Sequence, residues 1–253
     1  MVRLKKLFWV AFFAASFSVV SAYASNEVPA QEPSATQKSA DTQESQEDPQ
    51  GRLKFLKVKY LENNSEAFIP QVEGIKDPVL QDTINNNLKT AIIPTIPPNT
   101  SLQGNFEVTF YNENILGIHF KGLSSASKEA PPSKIDKGIH IDLTTGKIYK
   151  LEDLFKPNSD FTNKIKKICF TNDSKYRYTN TDQPSQWTYK DFANTWNKES
   201  GSFILLKDSV LVYSLPVLQT GEISGYNIPY SELKDIINTD GDLWKQIQGQ
   251  TIQ

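Results

Sequence analysis

Apolar and polar positions change their spacing several times along this chain, and each change marks an element. Between Arg52 and Asn63 the residues alternate, with apolar side chains on both faces (Leu53, Phe55 and Leu61; Leu56, Val58 and Tyr60), which predicts a strand. Ala67 to Val72 predicts a second, short strand. From Pro78 to Ile93 the period becomes helical: Leu80, Ile84, Leu88, Ala91 and Ile92 share one face. Asp77 suits the N-cap and Pro78 the first helical position, while Pro94, Pro97 and Pro98 end the helix. Alternation then returns as a hairpin, with Phe106, Val108 and Phe110 against Leu116, Ile118 and Phe120 around a turn at Asn112-Glu113-Asn114.

Leu123 to Lys137 reads as a polar loop, after which Ile139, Ile141 and Leu143 alternate again up to a turn at Thr144-Thr145-Gly146-Lys147. A helical stretch starts at Leu151, and Phe161, Ile165, Ile168 and Cys169 mark one face of the helix after Pro157. Asn172 to Gln186 is polar and irregular. Tyr189, Phe192, Ala193 and Trp196 are helically spaced, and Phe203, Leu205, Val210 and Val212 form a second hairpin around Lys207-Asp208. A helix over Tyr230–Asn238 and a short amphipathic tail over Asp240–Ile247 complete the chain. Helices interleaved with antiparallel hairpins, with no repeat at solenoid or propeller spacing, predict an α+β fold: an antiparallel sheet with packed helices, in two sequential subregions, 51–125 and 126–253.

The first fifty residues follow neither pattern. Arg3, Lys5 and Lys6 precede an apolar run from Leu7 to Val20 and the small-residue pattern Ala22-Tyr23-Ala24, which predicts a signal peptide over 1–24 cut before Ser25. The run is short for a membrane span, which needs about 20 apolar residues. A secreted or periplasmic location follows, with no membrane span after cleavage. Residues 25–50 are rich in Ser, Thr, Gln, Glu, Pro and Ala, with six acids against Lys38 alone, and read as a disordered acidic linker. From Gly51 onward 23 basic residues meet 23 acidic ones, so the folded part carries no general basic footprint for nucleic acid.

Three runs carry a resemblance. They are Ile141-Asp142-Leu143-Thr144-Thr145-Gly146-Lys147-Ile148-Tyr149-Lys150-Leu151-Glu152-Asp153-Leu154-Phe155, then Phe203 to Tyr213, then Ile228-Pro229-Tyr230-Ser231-Glu232-Leu233. Together they resemble the extracytoplasmic domain family shared by the anti-sigma factor RsiV and the non-catalytic N-terminal part of the peptidoglycan deacetylase PdaC. Phe68 to Ile75 with the following helix resembles the smaller α/β half that precedes that domain, so the resemblance spans about Leu53 to Asn238. It implies a non-catalytic envelope domain, one that in RsiV senses lysozyme by binding it. Where family members carry a Gly-Ala-His-like motif ahead of the signature strand, this chain has Lys128-Glu129-Ala130-Pro131-Pro132-Ser133.

Candidate chemistry is sparse. One cysteine, Cys169, excludes an internal disulfide, and two histidines exclude a three-histidine metal site. His119 and His140 lie opposite the apolar faces of their strands, and Asp142 shares the face of His140. Paired strands could bring the three to a metal; two solvent-facing histidines are the plainer expectation. Two Ser-x-x-Lys spacings occur, Ser125–Lys128 and Ser231–Lys234, about as many as chance supplies for 22 serines and 24 lysines. Glu152 and Asp153 suit the start of a helix, with no second acid placed opposite them. Cys169 reads as a core thiol. The aromatic segment from Tyr176 to Trp196 remains. Tyr189, Phe192 and Trp196 have core spacing, whereas Tyr176, Tyr178 and Trp187 sit among neutral polar residues, as a glycan-stacking or protein-binding surface would require. The expectation is a non-catalytic envelope binding domain without metal or cofactor, its ligand lysozyme or a cell-wall glycan held by Tyr176, Tyr178 and Trp187. The alternative is an envelope hydrolase with an unrecognised acid pair or a His/Asp metal site.

Overall fold

The computed structural model describes residues 43–47, 53–61, 65–93, 100–127, 131–179, 188–196, 202–214 and 224–249; the signal stretch and most of the linker lie outside them. The helix predicted from Pro78 is α1 (Pro78–Ile92), with the Asp77 carboxylate accepting from the amides of Val79 and Leu80. Its inward residues Ile84, Leu88 and Ile92 are fully buried. Each such burial contributes about 1.5–3 kcal/mol relative to exposure.

The helix lies on one face of a seven-stranded sheet in which spatial order follows chain order: β1 (Gln43–Glu47), β2 (Lys54–Tyr60), β3 (Glu66–Glu73), β4 (Ser101–Tyr111), β5 (Ile115–Ser125), β6 (Ser133–Asp142) and β7 (Ile148–Tyr149). Neighbours are antiparallel except β3 and β4, which are parallel because α1 crosses between them. Leu116, Ile118, Phe120, Ile139 and Ile141 face α1 in one core.

Three expectations change here. Residues 43–47 of the linker are a strand rather than disordered, antiparallel to β2. The predicted loop from Leu123 to Lys137 shrinks, because β5 runs on to Ser125 and β6 starts at Ser133. Its polar residues join the sheet because one of them, Asp136, is buried against His119. The boundary drawn after Ser125 therefore falls inside the first sheet, which ends at Tyr149.

The second part begins with a 3-10 turn at Leu151–Leu154, then α2 (Phe161–Thr171), α3 (Asp173–Tyr176), β8 (Arg177–Thr179) and α4 (Tyr189–Thr195). β9 (Ser202–Leu205), β10 (Ser209–Ser214) and β11 (Ser224–Pro229) follow, then α5 (Tyr230–Leu233) and α6 (Asp242–Ile247). The helix expected to reach Asn238 stops at Leu233, and Ile237 instead bridges to Phe155. The four strands form a second antiparallel sheet in the order β8-β11-β10-β9. One of its faces (Phe203, Leu205, Val212, Tyr226 and Ile228) shares a core with the buried sides of α2, α4, α5 and α6. Its β9 edge contacts β4, β5 and β6 on the face turned away from α1. At the crossing, a side chain on Gly138 would place its Cβ 1.8 Å from the Phe203 carbonyl oxygen. Only glycine permits that approach. The result is an α+β architecture of two sheets with helices on their outer faces.

Candidate functional site

The polar residues of β5 and β6 form a closed seam under β9. His119 and His140 occupy the face opposite α1, as the alternation predicts, yet both are buried rather than solvent-facing. The covering strand lies more than sixty residues away in sequence, so no local pattern could announce it. His119 stands between two carboxylates: Nε2 is 2.7 Å from Asp136 Oδ1, and Nδ1 is 3.2 Å from Glu107 Oε1. Burial alone would raise the Glu107 carboxyl; its hydrogen bond with Lys121, the Lys121 charge and His119 hold it below its usual value. Tyr213, fully buried, lies near Asp136. Burial and then the Asp136 charge push its phenol well above the ordinary range.

His140 has different company. Its ring stacks on Phe203 at 4.3 Å between centroids, and its Nε2 accepts a hydrogen bond from the Leu205 amide at 2.9 Å. A nitrogen that accepts carries no proton, so the neutral ring holds its hydrogen on Nδ1, a buried atom with no hydrogen-bond partner. Complete burial, reinforced by the charge of His119, lowers the pKa of His140 to about 3. Asp142 is saturated. Oδ1 accepts from the amides of Thr144 and Thr145 and from the Thr144 hydroxyl, and Oδ2 from the Tyr149 hydroxyl and Gln246 Nε2. Burial would raise this carboxyl, but those donors keep it below its usual value. The three residues considered for a metal thus serve three separate hydrogen-bond systems. Among the described residues no group of three His, Cys, Asp or Glu side chains could hold a metal ion.

Past Asp142 the signature run opens onto the surface. Gly146 turns the chain with φ +76°, and β7 and the 3-10 turn then line a cleft of about 570 Å³. Lys147, Glu152 and Asp153 come from the signature run, Lys156, Asn158 and Ser159 from the segment after it, and Asn238 and Asp242 from the C-terminal part. Tyr149, Phe155 and Phe161 line it too, although each is nearly buried. Two charges are held in place: Lys147 Nζ lies 3.3 Å from Asp153 Oδ1 and 4.8 Å from the Tyr149 ring centre, and Asp153 Oδ2 accepts from the Lys150 amide at 2.7 Å. A further acid, Asp242, about ninety residues on, lines the same cleft as Glu152 and Asp153. The cleft presents both signs of charge, amides and a hydroxyl, a donor and acceptor set that suits a polar ligand carrying both amino and carboxylate groups.

The aromatic segment divides. Tyr176 is in the core, its hydroxyl donating to Glu232 at 2.6 Å, so its ring is closed to a stacking ligand. The lack of periodicity around it reflects the short α3, which the irregular composition hid. Tyr178, on β8, is 38% exposed, and Trp187 lies outside the described residues. Phe192 and Trp196 are buried, as their spacing predicts. Sequence reasoning passed over Phe170, which is 68% exposed on α2 with its ring 5.2 Å from that of Tyr189. Its position beside the buried face of α2 was the available signal. Cys169 is buried there, and burial followed by the Asp173 charge pushes its thiol up, away from reactivity.

No family model and no curated protein matches this sequence. Solved structures do resemble the fold. One is a member of the DUF3298 family from Bacteroides fragilis, 11% identical, with a TM-score of 0.50 over 83% of this chain and 99% of that one. Another is a DUF3298 family protein from Pseudomonas aeruginosa PAO1, 15% identical, with a TM-score of 0.45 over 74% of this chain and 94% of that one. DUF3298 is a domain of unknown function, and the likeness is one of fold. Among the described residues no helix is long and apolar enough to cross a membrane.

Proposed function

We propose that this chain is an extracytoplasmic, non-catalytic binding domain of the bacterial envelope, and that its ligand is a cell-wall fragment of the peptidoglycan kind held in the Lys147–Asp242 cleft. One observation carries the reading: the open cleft is lined by the signature run itself, while His119, His140 and Cys169 are buried away from it. A sugar–peptide fragment offers hydroxyls, amides, amines and carboxylates, which match the charges and amides of the cleft. The predicted signal peptide and the resemblance to the RsiV and PdaC domains support an envelope setting. A second reading, lysozyme binding, is supported by exposed Phe170 against Tyr189, an aromatic anchor of the kind protein interfaces use.

The test is binding of the chain from Ser25 to soluble peptidoglycan fragments and, separately, to lysozyme. The expected result is saturable fragment binding that weakens at least tenfold in Asp242→Lys and is unchanged in Phe170→Ala, the fragments being recovered intact. Lysozyme binding lost in Phe170→Ala alone would favour the second reading. Binding to neither would overturn both.

A further inference from the structure

β2 has two neighbours of unlike kind. β3 pairs with all seven of its residues and brings buried Ala67, Ile69 and Val72. On the outer side, β1 brings Gln-Glu-Ser-Gln-Glu, with no apolar residue. Its register slips between Gln43 and Gln46, and the last residue of β2 that it pairs is Lys57. A polar strand on a sheet edge is held chiefly by main-chain hydrogen bonds, and a pairing of that length is marginal.

The sequence of β1 bears on what the edge accepts. It includes two acids, Glu44 and Glu47, and its backbone register sets position 47 opposite Lys54, on a strand that also carries Lys57 and Lys59. Beyond Lys57, β2 continues to Tyr60. Beside that end lies a groove of about 400 Å³ lined by Val58, Leu61, Ile69, Lys59 and Lys89 among others, with Leu61 63% exposed. The edge therefore combines a template of main-chain donors and acceptors, lysines on both faces of the strand (Lys54 on one, Lys57 and Lys59 on the other) and, further along the same strand, an apolar groove with cationic walls.

We propose that the outer edge of β2 is a peptide-binding site: it takes an extended acidic segment of another protein as an added antiparallel strand, and β1 is its displaceable in-chain occupant. Strand addition supplies affinity through the main chain, the lysines select acidic residues, and the groove selects an apolar residue at the peptide's N-terminal side. This site is separate from the cleft, and its test does not depend on the cleft being a ligand site.

The probe is a labelled peptide carrying residues 41–47 of this chain preceded by one leucine, titrated into the chain from Ser25. An in-chain strand competes at an effective concentration on the order of millimolar. Gln46→Pro with Glu47→Pro, at the adjacent positions paired with Phe55 and Lys54, removes a main-chain donor facing β2 and should let the probe bind at least tenfold more tightly than in the unaltered chain. Lys54→Glu with Lys59→Glu, both at exposed positions, should weaken it at least tenfold, and an N-methylated probe should not bind. Hydrogen exchange on the unaltered chain gives a check independent of any variant: saturating probe should slow the amides of Lys54–Lys57. Equal binding to the unaltered and Gln46→Pro/Glu47→Pro chains, binding of the N-methylated probe, or no binding at millimolar concentration would each overturn the proposal. So would β2 protection that vanishes on dilution without probe, because a second copy would then be the occupant.

Discussion

The seam under β9 and the cleft beside β7 are built from the same kinds of side chain and serve opposite ends. In the seam, His119, Asp136, His140 and Tyr213 are buried, and their hydrogen bonds and ring contacts hold two sheets together. In the cleft, Lys147, Glu152, Asp153 and Asp242 stay hydrated, and only Lys147 and Asp153 are fixed on each other. Buried polar groups are costly to leave unpaired, whereas exposed ones contribute little to stability whichever way they point. Polarity alone thus does not mark a site; access to solvent separates a structural joint from a surface able to bind.

The comparison predicts that damage to the seam unfolds the protein. The largest effect is expected from Gly138→Ala, whose Cβ would sit 1.8 Å from the Phe203 oxygen. β9 would have to leave β6, breaking the His140–Leu205 hydrogen bond as well. More than about 3 kcal/mol of stability should be lost, read from the urea midpoint. Next is Asp136→Ala, which takes from buried His119 its closest partner. About 3 kcal/mol is expected, and a double-mutant cycle with His119→Ala should show strong coupling between the two. If either change costs under about 1 kcal/mol, the seam is not a joint.

Acid should attack the seam in a defined window. His140 has a folded pKa of about 3 against an unfolded value near 6.5, so between those limits the unfolded chain binds more protons. Stability therefore rises with pH through that window and levels off above it. Between pH 5 and pH 6.5 the loss on acidification is about 2 kcal/mol. Glu107 and Asp142, both held below their usual values, add a loss only as pH falls through the carboxylate range. His140→Gln, which keeps an acceptor for the Leu205 amide, should flatten the upper part of the curve and leave the lower part. An unchanged slope above pH 5 in that variant would show that His140 is not the titrating group.

How much of this could be read from sequence follows from which forces are local. α1 was legible because its cap, its proline stop and its apolar stripe all lie within eighteen residues, Asp77 to Pro94. The α+β class was legible for the same reason, strand by strand. The facing of His119 and His140 was legible from the two-residue period, but their burial was not, since it depends on β9 arriving from another part of the chain. β1 left no trace because Gln43–Glu47 shows no alternation of apolar and polar residues, and main-chain hydrogen bonds leave no mark on side-chain pattern. Asp142 was read as a possible metal ligand, although Thr144, Thr145 and Tyr149 were close enough in sequence to suggest the closed turn that saturates it. The cleft was half legible: the signature run identified one group of lining residues, and only the fold brings Asn238 and Asp242 beside them.

The smallest expected stability effect belongs to the cleft, and that smallness is its diagnostic. Glu152 and Asp242 are exposed, and Glu152 meets only the exposed Lys150, at 3.6 Å. Glu152→Gln and Asp242→Asn together keep shape while removing two negative charges, so the stability read from urea unfolding should move by no more than about 0.5 kcal/mol. If the cleft is a binding surface, the same double variant should lose affinity for an amine-bearing peptidoglycan fragment at least tenfold. The remaining affinity should depend less steeply on salt, because two of the attractive charges are gone. A ligand contact and a structural contact give opposite pairs of results in these two measurements. The seam variants lower stability whether or not ligand is present, while the cleft variants change binding at constant stability. A double variant that destabilises the fold by 2 kcal/mol or more would place Glu152 and Asp242 with the seam, as parts of the joint rather than of the open surface.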